Sequence, residues 1–215
     1  MSKENFKFSC VDCKVCSCEE DDGIYPDFCP TAALMDGEME SSIFDEAVNL
    51  YVDDDEINRV TVAAAEVELE NYCKMTRVEE IAEFARKIGA KKLGIATCIG
   101  LIKESAAAAK IFRNRGFEVY GVCCKVGAVP KIAVGLDMTH ETLGKNMCNP
   151  ILQAKLLNEE KTDLNIVVGL CVGHDSLFYR YSDALCTTLV TKDRVLGHNP
   201  VAALYQTDSY YKKLL

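Results

Sequence analysis

Ile166-Val167-Val168 is an apolar run without polar alternation. Such a run reads as a strand buried on both faces, as in a parallel sheet covered by helices. The same rhythm recurs through the chain. Residues 92–97 read as a strand, residues 104–115 as a helix stopped by Gly116, and residues 117–122 as a second strand. Asn149 and Pro150 have the N-cap and first-turn chemistry of a helix running to about residue 160. The strand at 164–170 follows, then a short helix from Asp175, a strand near 187–191, and a last helix opened by His198-Asn199-Pro200.

Upstream, residues 43–72 read as helical. Ile57, Val60, Ala64 and Val67 fall at helical spacing, and Asp53-x-x-Glu56 resembles a start signal. Thr76-Arg-Val-Glu79 is a capping box whose helix carries Val78, Ile81, Ala82, Ala85 and Ile88 on one stripe, with Gly89 at its C′ position. Residues 125–147 are far longer than the roughly 2–6 residues of an ordinary βα connection. They are expected to hold a short strand at 131–134 or to act as a lid. Strands alternating with helices predict an α/β fold: a mainly parallel sheet flanked by helices, Rossmann-like and three-layered. The expected organisation is a small Cys-rich metal module at 1–35 and an α/β domain at 36–215 with a helical lead-in over about 43–89.

Composition narrows the function classes. The 215 residues carry a net charge of −9. Phosphate backbones are bound by clustered Lys and Arg, so nucleic acid is not an expected partner. No apolar run approaches the roughly 20 residues of a membrane span, and the first residues lack the apolar core of a signal peptide. A cytoplasmic protein is the expectation, with no membrane partner.

Twelve cysteines then need a reason. Without an export signal, metal ligation or thiol reactivity explains a cluster better than disulfides do. Cys73 and Cys186 read as small buried hydrophobes.

The densest run is Cys10-x2-Cys13-x2-Cys16-x-Cys18, followed by acidic residues at 19–22 and then Cys29-Pro30. Little here builds a core, and metal binding can supply folding free energy to such a module. Cys10, Cys13, Cys16 or Cys18, and Cys29 would complete a four-thiolate site. The spacing resembles a ferredoxin run, but the gap from Cys16 to Cys29 is longer and no second run exists. Zinc and an iron–sulfur cluster both remain open.

Cys98, Cys123 or Cys124, Cys148 and Cys171 each follow a predicted strand or precede a helix. Ligands of open α/β sheets bind beyond the carboxyl ends of the strands, and neighbouring strands lie about 4.8 Å apart. These cysteines are therefore candidates to bind an iron–sulfur cluster, with His174 as a further ligand or proton donor. Cys171, His174 and Cys148 are also candidate catalytic residues for thiol chemistry on a small molecule, since Cys171-x-x-His174-Asp175 offers a thiol, a base and an orienter. His198 reads as a helix-start residue and His140 as an exposed loop residue. Phosphate-loop, dinucleotide, serine-hydrolase and zinc-protease motifs are absent from the sequence.

Cys10-Val-Asp-Cys13, Phe28-Cys29, Cys148-Asn-Pro-Ile-Leu-Gln-Ala-Lys-Leu-Leu-Asn, Val168-Gly-Leu-Cys-Val-Gly-His-Asp and Lys192-Asp-Arg-Val-Leu-Gly-His-Asn-Pro-Val-Ala-Ala span nearly the whole chain. Together they resemble a prokaryotic family, the domain of unknown function numbered eighteen forty-seven, whose members are often labelled metal-binding proteins. The resemblance implies a metal site and no established reaction. The expected function is a thiolate-ligated iron–sulfur or zinc centre in a redox or electron-transfer role, with a small molecule or a redox protein as partner. The alternatives are non-redox zinc binding, metal handling or sensing, and a cysteine-dependent enzyme.

Overall fold

Four strands, β1 (Lys92–Thr97), β2 (Glu118–Cys123), β3 (Leu164–Val168) and β4 (Leu185–Val190), form one sheet in the order β2-β1-β3-β4. All three pairings are parallel. The structure is a computed structural model and describes residues 8–19, 23–37 and 41–215. The acidic residues at 20–22 and the first residues of the chain, read above for charge and export, lie outside that set.

The chain divides into two compact units, residues 1–62 and 63–215. The first contains α1 (Pro30–Met35) and α2 (Ser41–Asp53), and the boundary falls within α3 (Asp55–Asn71). The expected single helical stretch over 43–72 is therefore two helices. Asp54 separates them, because its Oδ1 accepts the N–H groups of Glu56 and Ile57 at 2.9 and 3.0 Å. It caps α3 one residue later than the start signal suggested. Ala63 and Val67, rather than Ala64, are the buried positions of α3.

The second unit holds α4 (Arg77–Lys87), α5 (Ile102–Asn114), α6 (Pro150–Glu159), α7 (His174–Tyr181) and α8 (Val201–Leu204) with the whole sheet. At the start of α4, the Thr76 backbone N–H and hydroxyl donate to Glu79 at 2.9 and 2.7 Å, which stabilises that helix start. The stripe Ile81, Ala82, Ala85 and Ile88 is buried, and Gly89 (φ +81°) takes the left-handed turn that ends the helix. The last helix is only four residues long, and His198 ahead of it sits at φ +68° in a turn closed onto Asp193.

The sheet is buried because its residues alternate between two apolar layers. Ala96, Val122 and Val167 pack with Ala154 and Leu157 of α6 and Phe178 of α7. On the other face Thr97 bonds Ser105 of α5 at 2.6 Å. Leu93, Ile95, Ile166 and Val168 are almost fully buried, each contributing about 1.5–3 kcal/mol relative to exposure. This is the expected three-layer α/β architecture. Buried Asn165 donates to Ser182 at 2.7 Å and accepts from Thr162 at 2.8 Å. Gly94 leaves the space it needs, since a Cβ there would lie 2.0 Å from Asn165 Oδ1.

Two local expectations are corrected. Residues Lys131–Val134 form a short 3-10 helix, not a strand. The adjoining Pro130 has no N–H to extend a ladder, and pairing stops at one bridge between Pro130 and Asn146. Cys73 is exposed, not buried: it sits at φ +56° just past the end of α3, where the chain turns outward. Cys186 is half-buried against the α6–α7 side of the core, and burial pushes its thiol up. Among the described residues no helix is long and apolar enough to cross a membrane.

Candidate functional site

The order β2-β1-β3-β4 reverses direction between β1 and β3, the point at which open α/β sheets form a crevice beyond their strand ends. Cys98 follows β1 and Cys171 follows β3, so the two stand on either side of that point. Thr97 pairs with Cys123 and with Val168. The ladder runs one residue further through Cys124 N–H to Thr97 O at 2.8 Å and Cys98 N–H to Val168 O at 3.1 Å. Cys98 and Cys124 therefore face the same side at adjacent strand ends.

Helix α6 supplies the third thiol. Asn149 accepts Leu152 N–H at 3.0 Å, capping the helix, and donates its own N–H to Cys124 O at 2.7 Å. Buried Gln153 donates to the carbonyls of Thr97 and Val122 at 3.2 and 2.7 Å. These bonds lock the start of α6, and with it Cys148, against the ends of β1 and β2. The fourth thiol and the histidine share one turn: Cys171 O accepts the N–H of His174 at 2.9 Å, and Gly173 (φ +83°) permits the bend.

These residues line one cavity of about 430 Å³: Cys98, Cys124, Cys148, Cys171 and His174 all reach it, and Cys123 does not. The strand-end reading thus brings together four cysteines from three loops: Cys98 after β1, Cys124 and Cys148 at the two ends of the β2–α6 connection, and Cys171 after β3. A larger hollow, about 570 Å³, lies by α3, α4 and β4, and Cys73 is its one thiol. Its chemistry is that of an apolar groove rimmed by surface charge.

The crevice sulfurs are electrostatically distinct. Cys148 is held far below the thiol range, first by the hydrogen bond from Cys124, then by His174, with Lys125 adding charge. Cys124 is pushed up, first by facing Cys148 and then by burial, although the Ile99 N–H donates to its sulfur at 3.3 Å. His174 is raised, chiefly by its bond to Cys148. Cys148 is thus shifted toward the thiolate and His174 toward the imidazolium, while the neighbouring Cys124 is shifted toward the neutral thiol. Lys192 Nζ lies 3.5 Å from Cys98 Sγ, and an Arg194 guanidinium nitrogen donates to Cys171 Sγ at 3.1 Å. The sequence reading missed Lys125, Lys192 and Arg194. The signal was present, since Lys125 directly follows Cys124, and Lys192 and Arg194 follow β4 at the same sheet edge.

The N-terminal cysteines differ. Cys10, Cys16 and Cys18 are exposed, and Cys13 and Cys29 are half-buried. The Cys16 N–H points to Cys13 Sγ at 3.5 Å, and such backbone donors lower the Cys13 thiol. Ser9 N–H donates to Phe28 O at 3.0 Å, which sets the chain beside Cys10 against the chain beside Cys29. Among the described residues, no three His, Cys, Asp or Glu side chains converge on one ion position, here or in the crevice. His140, in the 125–149 loop, pairs with Asp137 at 2.8 Å on the surface, and His198 Nδ1 accepts the Asp193 N–H at 3.1 Å.

A family model described as Protein of unknown function (DUF1847) matches residues 35–189, well over half of the chain. The chain belongs to this family. A Methanocaldococcus jannaschii relative named Uncharacterized protein MJ0455 is 50% identical over 157 residues, covering 73% of this chain and 80% of the relative. The DUF1847 match contains all four crevice cysteines and His174, whereas Cys10 to Cys29, Lys192 and Arg194 lie outside it.

Proposed function

We propose that the crevice holds an iron–sulfur centre on Cys98, Cys124, Cys148 and Cys171, and that the protein does redox or electron-transfer work. One observation carries this reading: the three loops beyond β1, β2 and β3 bring four cysteines to a single cavity. Nucleophilic catalysis needs one thiolate and a base, whereas iron–sulfur clusters are commonly held by four thiolates. Four thiolates also suit zinc, and metal content separates the two.

The iron–sulfur centre, when bound, supplies one-electron transfer. The chain's own residues set its surroundings. Lys192 and Arg194 donate to the sulfurs of Cys98 and Cys171, and the Ile99 N–H donates to that of Cys124. Hydrogen bonds and positive charge at thiolates offset their negative charge and favour the reduced state. His174, raised by its bond to Cys148, is the candidate proton donor to a bound small molecule. At the N-terminus, Cys10, Cys13, Cys16 or Cys18, and Cys29 form the candidate set for a second metal, zinc or a cluster. The Cys13 turn and the Ser9–Phe28 bond support that grouping.

Protein purified without oxygen is expected to be coloured, to give an electron paramagnetic resonance signal on reduction, and to lose that signal in Cys171→Ala. Colourless protein carrying zinc alone would overturn the redox reading in favour of non-redox metal handling. The Cys148–His174 pair favours a second reading, in which Cys148 is the nucleophile of a thiol enzyme. Metal-free protein that reacts stoichiometrically with an electrophilic substrate at Cys148 would support it.

A further inference from the structure

We propose that the crevice binds a small organic monocarboxylate, its carboxylate held by Arg194 and Lys131 and its aliphatic body laid on Leu136, Leu143 and Ile151. The inference rests on the crevice being the working site, but not on what its thiols hold.

The first ground is charge. The chain has 33 acidic and 24 basic residues, yet Lys125, Lys131 and Arg194 line this cavity and no Asp or Glu does. Five basic side chains elsewhere, Arg77, Arg86, Lys87, Lys92 and Arg115, each lie within 4.0 Å of a glutamate. Among the described residues, Lys125, Lys131 and Arg194 have no such partner. Their known bonds leave donors to spare. Lys125 gives one to Asn146 O at 2.7 Å, Lys131 one to His140 O, and Arg194 one to Cys171 Sγ. An ammonium has three donors and a guanidinium five.

The second ground is shape and wall chemistry. About 430 Å³ is the size of a small-molecule site, and such sites pair apolar walls with a few polar anchors. Ile99, Leu136, Leu143, Met147, Ile151 and Leu177 supply the apolar wall. A polyphosphate would leave that wall unmatched, and no glycine-rich phosphate loop borders it. A carboxylate matches the planar fork of Arg194, and an aliphatic chain matches the leucines. The starts of α6 and α7, marked by Pro150 and His174 on the lining, add positive potential to the same space.

The test is ligand-observed saturation-transfer NMR on the full-length protein with acetate, butyrate and hexanoate, with butyramide and inorganic phosphate as comparison probes. Binding of the carboxylates is expected, tightening roughly fourfold per methylene where the chain meets the wall. Butyramide is expected to bind at least tenfold more weakly than butyrate. Arg194→Gln and Lys131→Gln should each weaken butyrate several-fold, while Arg86→Gln, paired outside the crevice, should change nothing. If Arg194→Gln does not fold, Lys131→Gln, on a surface loop, decides the matter.

No carboxylate binding, equal binding of butyramide, tighter binding of phosphate, or indifference to both crevice substitutions would overturn the proposal. Iron and sulfide assayed on the same samples separate the two claims. Butyrate binding without a cluster would leave this inference standing and remove the redox one, and a cluster without butyrate binding would do the reverse.

Discussion

The N-terminal segment and the crevice use the same residue for different structural reasons. Cys10, Cys13, Cys16 and Cys18 stand close together in sequence, and that spacing is the strongest motif in the chain. In space, three of them are exposed, and the sulfur of the fourth, Cys13, meets backbone N–H donors from its own turn. Cys98, Cys124, Cys148 and Cys171 are scattered over more than seventy residues, yet one sheet edge gathers them. Their sulfurs meet Lys192, Arg194, His174 and the Ile99 N–H. Spacing marks a segment that a bound metal would organise; topology marks a site that the fold has organised already.

The comparison breaks most readily at Cys171. Replacing it with alanine is expected to lower crevice iron affinity by more than the roughly 10–100-fold that loss of an outer partner costs. Metal analysis showing undiminished iron would transfer the metal site to the N-terminal segment. Next in size, Gly94→Ala drives a methyl into Asn165 and is expected to destabilise the α/β unit by about 1–3 kcal/mol, seen as a lower urea midpoint. Alkylation of Cys10, Cys16 and Cys18 should stay unchanged, because their exposure owes nothing to the sheet.

The ionic pair sharpens the contrast through pH. Cys148 is lowered, so its contribution to stability is present above the unfolded pKa and is lost as pH falls through the folded value. His174 is raised, so its contribution is complete below its unfolded pKa and disappears as pH rises through its folded value. Thiolate and imidazolium coexist between the two folded values. Metal-free protein should therefore be alkylated by iodoacetamide at Cys148 at about pH 6, where an ordinary thiol is under about 1% ionised. His174→Gln should slow that reaction about tenfold, one pKa unit's worth. Mass spectrometry showing Cys148 inert at that pH would refute the pairing. Smallest is Asn149→Ala, which removes the α6 cap and is expected to cost about 1 kcal/mol by denaturant titration.

Much of the α/β domain was legible in the sequence. Apolar runs, Gly89, Gly116 and the Asn149-Pro150 start all rest on local rules of burial and capping, which need no partner to be read. Strand-end logic then located the cysteine crevice. The choice between Cys123 and Cys124 could not be read locally, because it depends on the register Thr97↔Cys123 set across the sheet. The charged side of the crevice escaped for a related reason: Lys192 and Arg194 read as ordinary surface residues until β4 takes its place beside β3. The 131–134 segment misled because Ile132 and Val134 have strand chemistry, while Pro130 and Gly135 deny them a partner strand.

The most direct test replaces Cys10, Cys13, Cys16, Cys18 and Cys29 together with serine and assays iron and acid-labile sulfide per chain after purification without oxygen. The account predicts that iron and sulfide remain in matched amounts, held by the crevice. Their absence from both this variant and the unaltered protein, or their loss along with the N-terminal cysteines, would contradict it.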